Sequence, residues 1–207
     1  MVVVIDLADM QTYVDSIDTY LNRKESNIRS SKRKALSFKD LPHGAEKYWT
    51  AHYDELQKTY ADTFPQTLRS SAFIASCTLT EGHLKRICEI VGGEENSSHM
   101  QRKKRHAFIK DAHDYLISST NLAFQKCDQW LDELLKYNTI RNKFVHNMGY
   151  FRQGYHSQDF EKWALQRTDI HLDTHDRIVL AQGFCQTYLT VAKQYFTALN
   201  TALAMKC

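Results

Sequence analysis

The sequence predicts an all-α protein. Glycine and proline are scarce, 7 and 2 in 207 residues, too few for the many turns of an all-β chain. Apolar residues recur at spacings of three and four along most of the chain, the mark of one buried helix face. With 43% hydrophobic and 25% charged residues, the chain can build one core of ordinary size, and two would be cramped. We therefore expect a single domain over residues 1–207, with a core from about 65 to 205 and an N-terminal helical extension from about 5 to 62.

The first helix is expected from about Leu7 to Ser30, carried by Leu7, Met10, Val14, Ile17 and Leu21. Its far end turns basic at Arg23, Lys24, Arg29, Lys32, Arg33, Lys34 and Lys39, and Leu41-Pro42-His43-Gly44 breaks the pattern. A second helix is expected from Ala45 to about Tyr60. Phe64-Pro65 reads as the next boundary, because proline suits a first helical turn, and the apolar segment Thr67 to Val91 as a central core helix. Gly92 to Ser98 reads as a loop. Further helices are expected from about Gln101 to Ser118 and from Asn121 to Asn147, with a short polar connection framed by Gly149 and Gly154. The alternation in Thr168 to Asp173 predicts one short extended segment. A final helix is expected from about Thr174 to Met205, with Asp173 or Thr174 as its cap.

Composition narrows the function classes. The formal charge of +3 tolerates an anionic partner without announcing one. The five cysteines are odd in number, widely spaced and lack a C-x-x-C pair, which suggests neither a disulfide framework nor a thiolate zinc site and fits a reducing cytoplasm. Cys77 and Cys88 read as small core residues. The apolar run Val2–Ile5 is too short for a signal-peptide core or a membrane span, so a cytoplasmic protein with no membrane partner is expected.

The informative segment is Trp130 to His146. On a wheel of roughly 100° per residue, Trp130, Leu131, Leu134, Leu135 and Val145 share one sector, with Asp132, Lys136, Thr139 and Lys143 opposite. Asn138, Arg141 and Asn142 intrude into the apolar sector, and His146 sits at its border. Burying such groups unpartnered costs on the order of several kcal/mol for an amide and more for a guanidinium, so they must meet partners, water or a ligand. Arg141 and His146 stand about 140° apart on an ideal helix and cannot converge on one small atom within one undistorted chain. Two copies meeting along this stripe near a twofold axis would place two arginines and two histidines in one cleft.

The string Ile140-Arg141-Asn142-Lys143-Phe144-Val145-His146-Asn147-Met148-Gly149, preceded by a helix with Trp130 and Leu134, resembles the motif of the HEPN superfamily: Arg, four to six residues, then His, often with a polar residue directly after the Arg. That superfamily includes ribonuclease toxins, anti-phage abortive-infection proteins and domains of larger RNA-cleaving defence enzymes. The resemblance implies a HEPN-like helical bundle, here with extra N- and C-terminal helices, that dimerises to form a composite metal-free RNase site. Arg141, Asn142 and His146 are the residues carried over. The toxin subgroup silenced by nucleotide transfer has a Tyr two residues after the His, where this chain has Met148; Tyr150 is four residues after it.

These residue types suit RNA cleavage. The substrate brings its own 2′-hydroxyl nucleophile, so the protein must supply a base, an acid and positive charge. Imidazole titrates near neutrality and serves as base or acid, while a guanidinium donates paired hydrogen bonds to phosphate oxygens. The expected function is thus a cytoplasmic homodimeric endoribonuclease acting on single-stranded or tRNA-like RNA, with no cofactor and no metal. It would be a toxin or phage-defence effector with an antitoxin or defence-system partner. The alternative is a catalytically silent, dimeric interaction or nucleotide-binding module acting through a partner protein; a helical regulator outside the superfamily is a third reading.

Other candidates are weaker. Arg102, Lys103, Lys104 and Arg105 could track an RNA backbone, with Phe108 or Tyr115 stacking on bases, against the plainer reading of a solvated helix start. Tyr137, on the ridge Glu133-Tyr137-Arg141, and likewise Asn138 and Tyr150, are possible accessory site residues; for Tyr137 packing beside Trp130 is the plainer role. His171, Asp173, His175 and Asp176 have metal-like spacing but straddle an expected strand-to-helix junction.

Overall fold

The computed structural model describes residues 2–38, 42–92, 108–120, 125–151 and 158–204. Its helices are α1 (Val2–Leu36), α2 (Ala45–Lys58), α3 (Phe64–Gly92), α4 (Phe108–Thr120), α5 (Gln125–Asn147), α6 (Gln158–Leu165) and α7 (Phe184–Ala204). A two-stranded antiparallel hairpin, β1 (Ile170–Leu172) and β2 (Ile178–Leu180), pairs Ile170 with Leu180, His171 with Val179 and Leu172 with Ile178. Among the described residues the protein is a helical bundle with this one small sheet.

The core follows from the apolar stripes. Leu7, Val14, Ile17 and Leu21 on α1, Phe73, Cys77, Leu84 and Cys88 on α3, Leu131, Leu134 and Ile140 on α5, and Phe184, Tyr188, Ala192, Tyr195 and Leu199 on α7 are all buried. Its centre is aromatic. Tyr137 on α5 meets Phe73, Trp163, Phe184 and Tyr188 at centroid distances between 5.2 and 6.2 Å, mostly edge-on. Each such pair adds about 0.5–1.5 kcal/mol beyond the area it buries. The first half of α1 belongs to this core; α2, by contrast, buries no residue.

Four expectations change. Phe64-Pro65 is not a break. Helix continues through it, and the π turn Thr59–Thr63 joins α2 to α3, with the Phe64 N–H donating to the Thr59 carbonyl. Pro65 has no N–H to offer the preceding turn, and a wider turn just ahead of it lets the helix pass without a kinking clash.

The final helix starts at Phe184, not Thr174, because Ile178–Leu180 is a strand. That strand is held from afar: the Ile178 N–H donates to the Gly149 carbonyl (2.9 Å). The Gln66 side chain also brackets it, donating to the Ile178 carbonyl (2.6 Å) and accepting from the Leu180 N–H (3.0 Å), much as a neighbouring strand would.

Asp173 therefore closes a hairpin turn instead of capping a helix. Its Oδ1 accepts the N–H groups of His175 (2.8 Å) and Arg177 (2.9 Å). The connection after Gly149 contains α6, whose Phe160 is buried and whose Trp163 packs on the core.

Candidate active site

The motif lies in the last two turns of α5. Ile140 is buried and anchors the helix, while Asn138 at 9% exposure lies at the edge of the core. Arg141 and Asn142 are half-buried and His146 is exposed. The helix ends where Met148 and Gly149 take left-handed φ values of 51° and 81°, and the Gly149 N–H donates back to the Lys143 carbonyl (2.9 Å). A side chain at Gly149 would be strained there and would press on the Phe144 ring.

Arg141 points toward α3. Its Nη1 donates to Asn142 Oδ1 (3.0 Å), and its Nη2 lies 3.8 Å from Glu81 Oε2, an ion pair too long to be a hydrogen bond. Its Nε is buried with no hydrogen-bond partner. Burial raises the Glu81 pKa above the ordinary carboxylate value, and the Arg141 charge pulls the other way. The guanidinium is thus anchored by its own neighbour and loosely by a carboxylate whose charged form the surroundings disfavour.

Glu81 was not anticipated, although it carries the signal that singled out the motif. The buried stripe of α3 runs Cys77, Leu84, Cys88, and Glu81 falls on it, a carboxylate within the central apolar helix. The polar intrusion on α5 and the polar intrusion on α3 face each other.

His146 forms no hydrogen bond or ion pair with a described residue. One chain therefore does not bring Arg141 and His146 together, as their angular separation requires. Next to His146 in sequence, Val145, Met148 and Tyr150 are 44, 85 and 45% exposed. Val145 was expected on the buried face; the helix turns that face toward Phe144 instead, which packs on the core.

The accessory candidates separate. Tyr137 is wholly buried in the aromatic centre, where its ring packs on Trp163 rather than Trp130. Burial drives its hydroxyl pKa well up. Tyr150 bridges to Arg177 at the end of the hairpin. Arg102, Lys103, Lys104 and Arg105 lie outside the described residues, as does Cys207, while Phe108 and Tyr115 pack against the core. The Asp173 carboxylate is already engaged by Arg177 and the turn, and among the described residues no three His, Cys, Asp or Glu side chains gather as metal ligands. Cys77 and Cys88 are buried at 3% and 0% exposure, and burial pushes the Cys88 thiol up to about 12, far from a reactive thiolate.

Among the described residues no helix is long and apolar enough to cross a membrane. Comparison with family models, with curated proteins and with solved structures finds no match, so the site is read from its own chemistry.

Proposed function

We propose that the protein is a metal-independent endoribonuclease of the HEPN kind, assembled as a homodimer and acting on single-stranded or tRNA-like RNA. The observation that carries this reading is Arg141: a half-buried guanidinium with a buried, unpartnered Nε and only a 3.8 Å contact to a carboxylate. A structural arginine saturates its donors. This one does not: its Nε is unsatisfied, and its 23% exposed side chain, held at Nη2 only by a long contact, keeps hydrogen-bonding capacity for an anion, and it stands five residues before an exposed histidine. The exposed apolar side chains of Val145, Met148 and Tyr150, next to His146 in sequence, give a pairing of two copies at the motif apolar surface to bury.

In such a dimer one imidazole takes the proton of the 2′-hydroxyl as its oxygen bonds to phosphorus. The second imidazole, protonated, gives a proton to the departing 5′-oxygen as the P–O bond breaks. The Arg141 guanidinium neutralises the phosphorane oxygens, and Asn142 holds that guanidinium in place. The products are a 2′,3′-cyclic phosphate and a 5′-hydroxyl. The further assignment as a toxin or phage-defence effector with an antitoxin or defence-system partner, working in the cytoplasm, rests on the motif resemblance alone.

The test is incubation of wild-type and His146→Ala protein with total RNA and with labelled single-stranded and tRNA substrates in EDTA, followed by end-group analysis. Cleavage by the wild type alone, leaving cyclic phosphate ends, is expected; products with 3′-hydroxyl ends would overturn the mechanism. The second reading, a catalytically silent interaction or nucleotide-binding module, draws on the same exposed apolar side chains. It expects His146→Ala to weaken dimerisation in sedimentation, whereas the enzyme reading expects the dimer to persist.

A further inference from the structure

The strongest concentration of like charge does not lie at the motif. Between Arg23 and Lys34, α1 carries six cations against the single carboxylate of Glu25, a net +5 in a chain whose total is +3. Two of the six are engaged: Arg29 with Glu25 and Lys32 with Asp54 of α2. Lys24 lies over the Tyr20 ring, its Nζ 5.7 Å from the centroid. Arg23, Arg33 and Lys34 are exposed and form no ion pair with a described residue.

Against this basic half of α1 lies α2, a 14-residue helix that buries nothing yet carries Tyr48, Trp49, His52 and Tyr53. Joined to α3 through the π turn, α2 runs beside α1 and is tied to it by the Lys32–Asp54 ion pair. Its aromatic rings do not enter the core. Tyr48 is 63% exposed, and its ring is parallel to that of His52 within 4° at a centroid distance of 6.2 Å. Trp49 sits edge-on to both. Trp49 and Tyr53 are half-buried, but solvation alone, which accounts for exposed cations, does not account for the Tyr48 and His52 rings left at the surface of a helix tied to that basic half of α1.

We propose that this arm, the second half of α1 with α2, is a binding site for single-stranded RNA separate from the motif. Exposed rings offer faces on which successive bases stack, and the neighbouring cations follow the phosphate backbone. The choice of RNA as the anion rests on the ribonuclease reading above. The arm would hold the strand that the motif cuts.

Binding is read on the His146→Ala background, so that cleavage does not confuse it, with a labelled oligouridylate of about twenty nucleotides, long enough for one or two site sizes of roughly 4–16 nucleotides. Arg33→Glu with Lys34→Glu should weaken binding at least tenfold and flatten the slope of log affinity against log salt by about 1.4, from about 0.7 per phosphate contact on a single strand. Tyr48→Ala should weaken it roughly 5- to 150-fold with little change in salt slope. All three side chains are exposed, so circular dichroism and melting should match the parent.

Unchanged RNA affinity in both variants overturns the proposal. So does a parent protein that ignores RNA but binds phosphatidylserine vesicles through the same residues, an outcome that would make the arm a membrane-surface site. Arm-dependent RNA binding by a protein that cleaves nothing would leave the arm standing and remove the ribonuclease reading. Binding that survives the arm variants, with cleavage intact when the same substitutions are made in a chain that keeps His146, would do the reverse.

Discussion

Two arginines near the middle of the molecule have opposite surroundings. Arg167 stacks over the rings of Trp163, Tyr137 and Phe184, 4.8 to 5.6 Å from their centroids, and makes a two-pronged contact with Asp169, Nε to Oδ1 at 2.8 Å. Arg141 has one neighbouring amide, one long ion pair and an orphaned Nε. Burial alone does not separate them, since their side chains are 15% and 23% exposed. Satisfaction does. The first guanidinium is used up by the fold, whereas the second is held in position with donors to spare, the arrangement expected of a group that waits for an anion.

Exchanging each arginine for alanine gives the two largest expected effects, and they should fall on different observables. Arg167→Ala leaves the half-buried Asp169 without its partner, a loss of about 3–5 kcal/mol, read as a fall in Tm of roughly 6–20 °C for a chain of this size. On the proposed ribonuclease reading, Arg141→Ala should reduce RNA cleavage by about 10²–10³ while moving Tm by no more than about 4 °C, because a long, partly exposed pair contributes about 1 kcal/mol or less. If Arg141→Ala unfolds the protein as readily as Arg167→Ala does, the contrast fails and Arg141 is structural.

The sequence showed Arg141 and not Arg167, for a physical reason. Arg141 interrupts an apolar helix face, which periodicity exposes, whereas Arg167 sits between elements and acquires its aromatic neighbours only when α5, α6 and α7 come together. The helices bearing Leu7 to Leu21, Thr67 to Val91 and Phe184 to Leu199 are legible from spacing, but spacing starts the last one about ten residues too early. Ile178-Val179-Leu180 is a short apolar run that periodicity alone assigns to neither helix nor strand. What decides it is Gly149 and Gln66, 29 and 112 residues away. Glu81 was legible and overlooked, since on α3 a lone carboxylate on the apolar stripe was masked by the strength of the stripe itself.

Removing the charge at Glu81 sharpens the contrast with a smaller effect. Burial holds its carboxyl above the usual carboxylate pKa, so the folded state binds that proton more tightly than the unfolded chain does. The contribution is present in full below the unfolded pKa and is lost as pH rises through the folded value. Glu81→Gln should therefore match or slightly exceed wild-type stability at pH 7, and the advantage should vanish near pH 4. At the site, a guanidinium freed from a competing carboxylate binds phosphate more tightly, with KM lower by up to about fivefold, the scale of one ion pair near 4 Å screened as in water, and kcat unchanged. A loss of kcat would instead place Glu81 in the catalytic machinery.

The smallest effect is expected at Asp173, which reaches the motif only through the hairpin. Hydrogen bonds from the Arg177 N–H first, then from the His175 N–H and the Arg177 side chain, hold its carboxyl below the ordinary value. Its stabilisation is complete above the unfolded pKa and is lost as pH falls through the still lower folded one. Asp173→Asn keeps an acceptor for the turn but loses the ion pair to Arg177. Melting at pH 7 should barely change, while amide hydrogen exchange at Arg177 and Asp176 should speed up. Because the Ile178 N–H of β2 donates to the carbonyl of Gly149, just past the end of α5, some loosening should reach Met148 and His146. Arg141, fixed two turns earlier by Asn142 and buried Ile140, should not respond. A variant whose cleavage falls in KM or kcat by more than its exchange rates suggest would show that the hairpin sets the position of His146, and would move the boundary of the site from α5 into the sheet.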